Sequence, residues 1–208
     1  MGYSYHYNSI GGAIINNTIA SNSYSIRFNF ESAGNIMYAL SKATNIRKNN
    51  DGEYAILGIP YAQYVKGEFD FSKNIRIDHR NSFAFHIGMG IAVPYGNAKT
   101  IPFEKQYFSG GANSVRGWTV RDLGPGSFVR DENTNLLDQS GDIKLDASIE
   151  YRSKLFWKFQ GAIFVDAGNI WTIRDYDNQP GGVFKFDKFY KQIAVAYGLG
   201  LRLDLDFF

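Results

Sequence analysis

The chain has 208 residues, 44% of them hydrophobic, with 22 Lys and Arg against 20 Asp and Glu and no cysteine, which bounds it to one domain or a piece of one. A formal charge of +2 offers no global argument for nucleic acid. The lack of cysteine excludes disulfides, thiol catalysis and thiolate metal sites, and no run approaches the roughly 18 apolar residues of a membrane-spanning helix.

The 17 Phe, 14 Tyr and 22 Gly beside only 5 Pro suit pleated surfaces and turns, and point to an all-β chain. The opening MGYSYHYNSI lacks the basic-then-apolar order of a secretory signal. In chain order, period-two alternation predicts strands over Gly2–Asn8 and Tyr24–Glu31. A helix over Ala33–Lys42 follows, with Ser32 as N-cap and Ile36, Met37 and Leu40 at helical spacing. The connections Ile10–Ile19 and Asn45–Gly58 are polar and turn-rich. Strands resume over Tyr64–Ser72 and Phe83–Val93. In the latter, Phe83, Phe85, Ile87, Met89, Ile91 and Val93 alternate with Ser82, Ala84, His86, Gly88, Gly90 and Ala92. Pro94–Gly141 has no periodicity and is far longer than the ~12–15 residues at which a loop needs a special reason. Three strands close the chain: Ile143–Tyr151 within 142–154, Gln160–Trp171, and Ile193–Asp206. On the last, Gly198, Gly200, Arg202, Asp204 and Asp206 share the polar face. The total is about seven strands, with no internal repeat.

Alternation alone does not say whether the apolar side faces a soluble core or lipid. Three features favour lipid. Strands of about 10 to 13 residues exceed the ~5–6 of soluble sheets and match the ~9–11 needed to cross a bilayer on a tilt. The polar faces carry glycine pairs, Gly88 with Gly90 and Gly198 with Gly200, which leave room for close packing rather than for a solvated surface. Aromatics gather near strand ends, at Tyr61, Trp157, Trp171, Phe207 and Phe208, where an interfacial girdle would sit. A mean hydropathy of −0.28 fits, because only one residue in two would meet lipid.

The long loop reads IPFEKQYFSGGANSVRGWTVRDLGPGSF. Phe108-Ser109-Gly110-Gly111 followed by Ser114-Val115-Arg116-Gly117-Trp118 resembles the loop signature of the outer-membrane assembly superfamily that includes BamA and TamA, whose barrel is called the bacterial surface antigen domain. Phe164-Val165-Asp166-Ala167-Gly168 is similar to the family's aromatic-x-Asp-x-Gly strand motif, and Ser148-Ile149-Glu150-Tyr151 to the strand that supplies an acidic partner. The resemblance covers nearly the whole chain.

It implies an antiparallel transmembrane β-barrel domain over 1–208, about seven strands of a sixteen-stranded barrel and incomplete at both ends. The extracellular loop 94–141 would fold into the lumen. Two closing strands, the earlier strands and the client-receiving POTRA repeats are then expected outside this sequence. Carried over residue by residue, Arg116 would meet Asp166 and Glu150 as a loop–lumen latch. Gly110, Gly111 and Gly117 would allow tight turning and close approach, with Val115 and Trp118 completing the loop motif and Phe164 and Gly168 the strand motif. The alternation independently puts Glu150 and Asp166 on inward faces, and arginine suits the task because its planar fork binds carboxylate bidentately.

Plainer readings stand beside these: Arg116 as a solvated loop residue, Asp166 as part of a turn in Asp-Ala-Gly-Asn, and Glu150 as an ordinary lumen charge. The glycine run is no phosphate cradle, since no Gly-Lys-Ser/Thr follows and Gly124-Pro125-Gly126 forbids the required helix. Three isolated histidines support neither catalysis nor a metal site, and the carboxylates Asp146 and Glu150 have nothing that places a substrate between them. The resemblance implies a non-enzymatic, cofactor-free integral protein of the outer membrane. Its partners would be the lipid bilayer, unfolded outer-membrane or surface protein clients and accessory assembly subunits, and it would insert or export those clients. A two-partner-secretion pore or channel is the alternative, and a soluble all-β binding module the third reading.

Overall fold

The computed structural model describes residues 1–10, 22–50, 52–129 and 139–203. Seven long strands form one antiparallel sheet in the order β1-β2-β5-β6-β7-β8-β9. They are β1 (Gly2–Ile10), β2 (Ser23–Ala33), β5 (Tyr64–Arg76), β6 (Asn81–Pro94), β7 (Ile143–Lys154), β8 (Phe159–Trp171) and β9 (Ala194–Leu203). Each pairs with its sequence neighbour, a meander, and the sheet is open among the described residues. β3 (Ala55–Ile56) and β4 (Ile59–Pro60) make a small hairpin, and α1 (Asn35–Ala43) lies with it in the β2–β5 connection. No helix is long and apolar enough to cross a membrane. Positions 204–208, where the last predicted strand and its terminal aromatics continue, lie outside the described residues, as does much of 10–19.

The strands run longer than their sequence periodicity suggested, with β6 at 14 residues and β5 and β8 at 13. Ladder hydrogen bonds carry them past the last well-patterned residue into mixed-polarity ends such as Asn74–Arg76. The helix starts later than predicted. Ser32 is not its cap, because β2 continues through Ala33 by pairing with Tyr64. Gly34, at φ 81°, makes the turn instead, and a Cβ there would lie 2.3 Å from the Ala62 carbonyl.

Burial shows which way the alternation points. Ile163, Tyr197 and Leu199 are 56%, 84% and 81% exposed, whereas Asp146, Glu150 and Asp166 on the opposite face are at most 4% exposed. The outward apolar residues of β6 and β9 and the middle of β8 are largely uncovered by protein, and the acids beneath the long loop are covered. A soluble sheet would bury the reverse set; a wall with lipid outside and a packed interior requires this one.

The cover on the inner face is the long connection between β6 and β7. Tyr107 and Gly141 exchange backbone hydrogen bonds at 2.8 Å, so the segment between them leaves and returns at one place. Ser109 and Leu123 form a second bridge. Beyond it the Gly126 amide donates to the Ile170 carbonyl at 2.7 Å, tying the segment to the end of β8. One predicted girdle residue is placed differently. Trp171 is fully buried, edge-on to Phe184 and Phe189 and donating its indole N–H to Gln192 Oε1 at 2.8 Å. The connection after β8 folds over it. Trp157, in the β7–β8 turn, is 79% exposed.

Candidate functional site

The tip of the long loop is built by two tight turns. Gly110 and Gly111 take φ of 96° and 85°, where side chains are strained, and a Cβ on Gly110 would lie 2.1 Å from the Thr119 carbonyl. The Gly111 amide donates to the Trp118 carbonyl at 2.8 Å and the Trp118 amide to the Val115 carbonyl at 3.2 Å. Together these turn Val115, Arg116 and Gly117 toward the wall. Val115 is fully buried with Leu123 of the loop and Ala196 of β9, and Trp118 packs against that cluster. Gly117 lies so close that a Cβ on it would be 2.7 Å from the Ala196 methyl.

The wall presents its acids by register. Asp166 on β8 stands opposite Ser148 on β7 and Ala196 on β9, two small residues that leave a hollow over it. Glu150 stands opposite Phe164, one inward row away. Arg116 fills the hollow. Its Nε donates to Asp166 Oδ2 and its Nη2 to Oδ1, both at 2.7 Å, and its backbone amide donates to Oδ2 at 3.1 Å. Its Nη1 donates to Glu150 Oε2. The guanidinium lies over the Phe164 ring, 3.5 Å from the centroid. The tip of that ring in turn lies against Gly198, where a Cβ would come within 2.7 Å of its Cζ. Hydrogen bonds to Asp166, then those to Glu150, hold the Arg116 guanidinium charged well above its ordinary range.

The structure thus brings Arg116, Asp166, Glu150, Phe164, Val115, Gly117 and Trp118 into one assembly. Gly110 and Gly111 form its base within the loop. Gly168 lies one row away, where it serves a different acid: a Cβ on it would be 3.0 Å from Asp146 Cβ. Two members were missed in the sequence. Glu150 Oε1 also accepts from Arg152 Nε at 2.8 Å and is ion-paired with Arg202 Nη2 at 2.6 Å, so one carboxylate gathers three arginines from the loop, β7 and β9. The inward parity of Arg152 and Arg202 was legible, but their convergence depends on the register of three strands.

A second cluster lies nearer the loop end of the sheet. Asp146 contacts Lys144 Nζ at 3.1 Å and His86 Nε2 at 3.3 Å, and His86 Nδ1 lies 3.1 Å from Ser72 Oγ. Among the described residues no group of three or more His, Cys, Asp or Glu is placed to hold a metal ion.

Long antiparallel strands, an uncovered apolar face, acids on the covered face and a loop clamped against them define a wall of an outer-membrane β-barrel with its loop inside. Residues 16–208 match the Omp85 superfamily domain, and the chain belongs to that superfamily, whose members are integral outer-membrane proteins. It is 35% identical over 99 residues to the outer membrane protein assembly factor BamA of Neisseria meningitidis serogroup B (strain ATCC BAA-335 / MC58), an alignment covering 43% of this chain and 12% of that protein. BamA from Haemophilus ducreyi lacking POTRA domains 1-3 shares the fold, with a TM-score of 0.52 and 17% identity over 97% of this chain and 47% of that one. The chain therefore spans less than half the length of either.

Proposed function

We propose that this chain is the loop-bearing part of a barrel that inserts outer-membrane proteins into the bilayer or exports surface proteins through it. Membership of the Omp85 superfamily and the assembly-factor name of the Neisseria relative support this reading. The observation that carries it is the forked contact of Arg116 with Asp166, a loop contact made to the inner wall rather than to solvent. In this reading the 94–141 loop is extracellular and enters the lumen. Arg116, Asp166 and Glu150 act as a latch that keeps the loop and the wall in one geometry while another part of the barrel opens. An opened strand edge offers unpaired N–H and C=O groups on which an incoming client strand pairs before it meets lipid. This needs no nucleotide, metal or covalent step; accessory subunits would act on client delivery.

Charge exchange in the full-length protein tests the latch. Arg116→Glu is expected to lose function in a depletion-complementation assay, with the protein still folded in the membrane by heat-modifiable gel migration. Adding Asp166→Arg should restore part of that function, because the pair is re-formed with its sense reversed. No rescue in a folded double variant removes the direct pair from the account. A steady ion conductance that rises in Arg116→Glu while client assembly is unaffected would favour a gated transport pore instead.

A further inference from the structure

The inner face of the sheet changes character along the strands. Toward the loop end its charges are matched: Glu31 with Lys105 at 2.7 Å, Glu68 with Lys66 at 3.0 Å, Asp146 with Lys144, and Asp166 with Arg116. At the opposite end, where the turns between β5 and β6 and between β7 and β8 lie, the match fails. Arg76, Ser82 and Arg152 stand in one cross-strand row, and Lys154, Gln160 and Arg202 in the next. The Lys154 amide donates to the Arg80 carbonyl at 2.8 Å, which brings Arg80 of the neighbouring turn beside these rows. Arg76, His79, Arg80, Arg152, Lys154 and Gln160 line an open cavity of about 200 Å³.

Among the described residues the carboxylates nearby are already committed. Asp78 accepts from the Arg80 and Asn81 amides at 2.7 and 2.8 Å and from Asn81 Nδ2 at 2.7 Å. Glu150 is shared among three arginines. Among the described residues the Arg76 guanidinium donates to the backbone carbonyls of Asp78 and His79 and to no carboxylate. Among the described residues no carboxylate pairs with Arg80 or Lys154.

From this we infer that the turn end of the inner wall is a binding site for an acidic peptide segment, whose carboxylates seat over Ser82 between Arg76 and Arg152 and beside Arg80 and Lys154. Two strands of separation put Arg76 and Arg152 about 10 Å apart at the backbone, a span that long cationic side chains close on one carboxylate. The parity of the rows selects peptide over lipid. The residues facing the bilayer at this level are Ile75, Phe83 and Tyr151, while the cations face the aqueous interior and are reached through the mouth. Arg152 is shared with Glu150, whereas Arg76, Arg80 and Lys154 have no carboxylate partner among the described residues; such cations raise the local concentration of anions and lose that effect in salt. The inference goes beyond the assembly role and takes from it only that the inner face is aqueous, so binding and complementation can fail separately.

The test uses the full-length protein in phosphatidylcholine nanodiscs and a fluorescein-labelled hexaglutamate peptide read by anisotropy. Binding is expected at low ionic strength and should weaken as salt rises toward 0.5 M, roughly where screening reaches within a few ångströms. Arg80→Gln with Lys154→Gln should weaken it by about three- to tenfold. Arg47→Gln, a cation at the other end, should not. The single variants Arg80→Gln and Lys154→Gln, checked for folding by heat-modifiable migration, keep the test decisive if the double variant misfolds. Binding that ignores these substitutions overturns the assignment. So does a site that prefers phosphatidylglycerol nanodiscs over hexaglutamate, which would make it a headgroup site, or one that inorganic phosphate saturates equally well.

Discussion

Asp146 and Asp166 occupy inward positions on neighbouring strands, both are buried, and they are paired in opposite ways. Asp146 lies between Gly88 and Gly168, its cross-strand partners, and a Cβ on either glycine would come within about 3 Å of it. It lies down on the wall and is met by Lys144 of its own strand and His86 of the next. Asp166 lies between Ser148 and Ala196 and is met by Arg116, fifty positions away in the chain. The first arrangement uses groups that any correctly registered sheet brings together. The second closes a long loop, whose ordering entropy a single exposed ion pair would not offset. The fork on Asp166, the added backbone donor, the bond to Glu150 and the ring of Phe164 together make the contact multidentate. An acid paired within the sheet holds register; an acid paired from the loop holds tertiary arrangement.

That contrast sets the size of the expected effects. Asp166→Asn leaves the guanidinium without its main counter-charge and should cost about 2–4 kcal/mol of loop docking, less than a dry buried pair because Arg116 is partly open to water. Protease cleavage within 95–129 should accelerate accordingly, while Asp146→Asn should leave the loop protected. Equal cleavage in the two variants would erase the distinction. Gly117→Val forces the loop tip away from Ala196 and should cost about 1–3 kcal/mol, seen in the same digestion with both acids intact. Arg116→Lys keeps the charge but loses the fork, and should weaken docking by about 1–2 kcal/mol. Phe164→Leu removes the ring under the guanidinium for about 0.5–1 kcal/mol, and a double-mutant cycle with Arg116→Lys should show the coupling. The smallest effect lies at the far end. The Asn81 side chain, then the Arg80 and Asn81 amides, hold the Asp78 carboxyl below its usual range. A lowered carboxyl favours the folded turn above its unfolded pKa, and that advantage disappears as pH falls through the folded value. Amide exchange at Arg80 and Asn81 should therefore quicken only below the usual carboxylate range, and Asp78→Ala should abolish the pH dependence.

Much of this was readable from residues alone, and the reasons are specific. Period-two alternation in Phe83–Val93 and Gln160–Trp171 located β6 and β8, because the pleat converts sequence parity directly into sides of a sheet. The same parity put Glu150 and Asp166 inward. It placed Arg202 inward as well, and continued one step past Tyr151 it does the same for Arg152, but their convergence on Glu150 rests on register across β7, β8 and β9, which pairing rather than pattern decides. Trp171 misled for a related reason. Its place near a strand end suggested an interfacial ring, yet the connection carrying Phe184 and Phe189 closes over it, and a loop's path has no local signature. Ser32 looked like a cap because its side chain suits one, but the ladder to β5 extended β2 past it.

The sequence by itself determined the class of wall, its two faces and the residue types available for a loop contact, since these follow from side-chain period, strand length and the chemistry of arginine with carboxylate. Only the tertiary structure decided which face is covered, how the loop reaches Asp166, and that one carboxylate serves three arginines while, among the described residues, Arg80 and Lys154 at the turn end meet no carboxylate. Those outcomes depend on register and loop path, where residues distant in sequence meet through backbone hydrogen bonds that every residue can make and no single residue specifies.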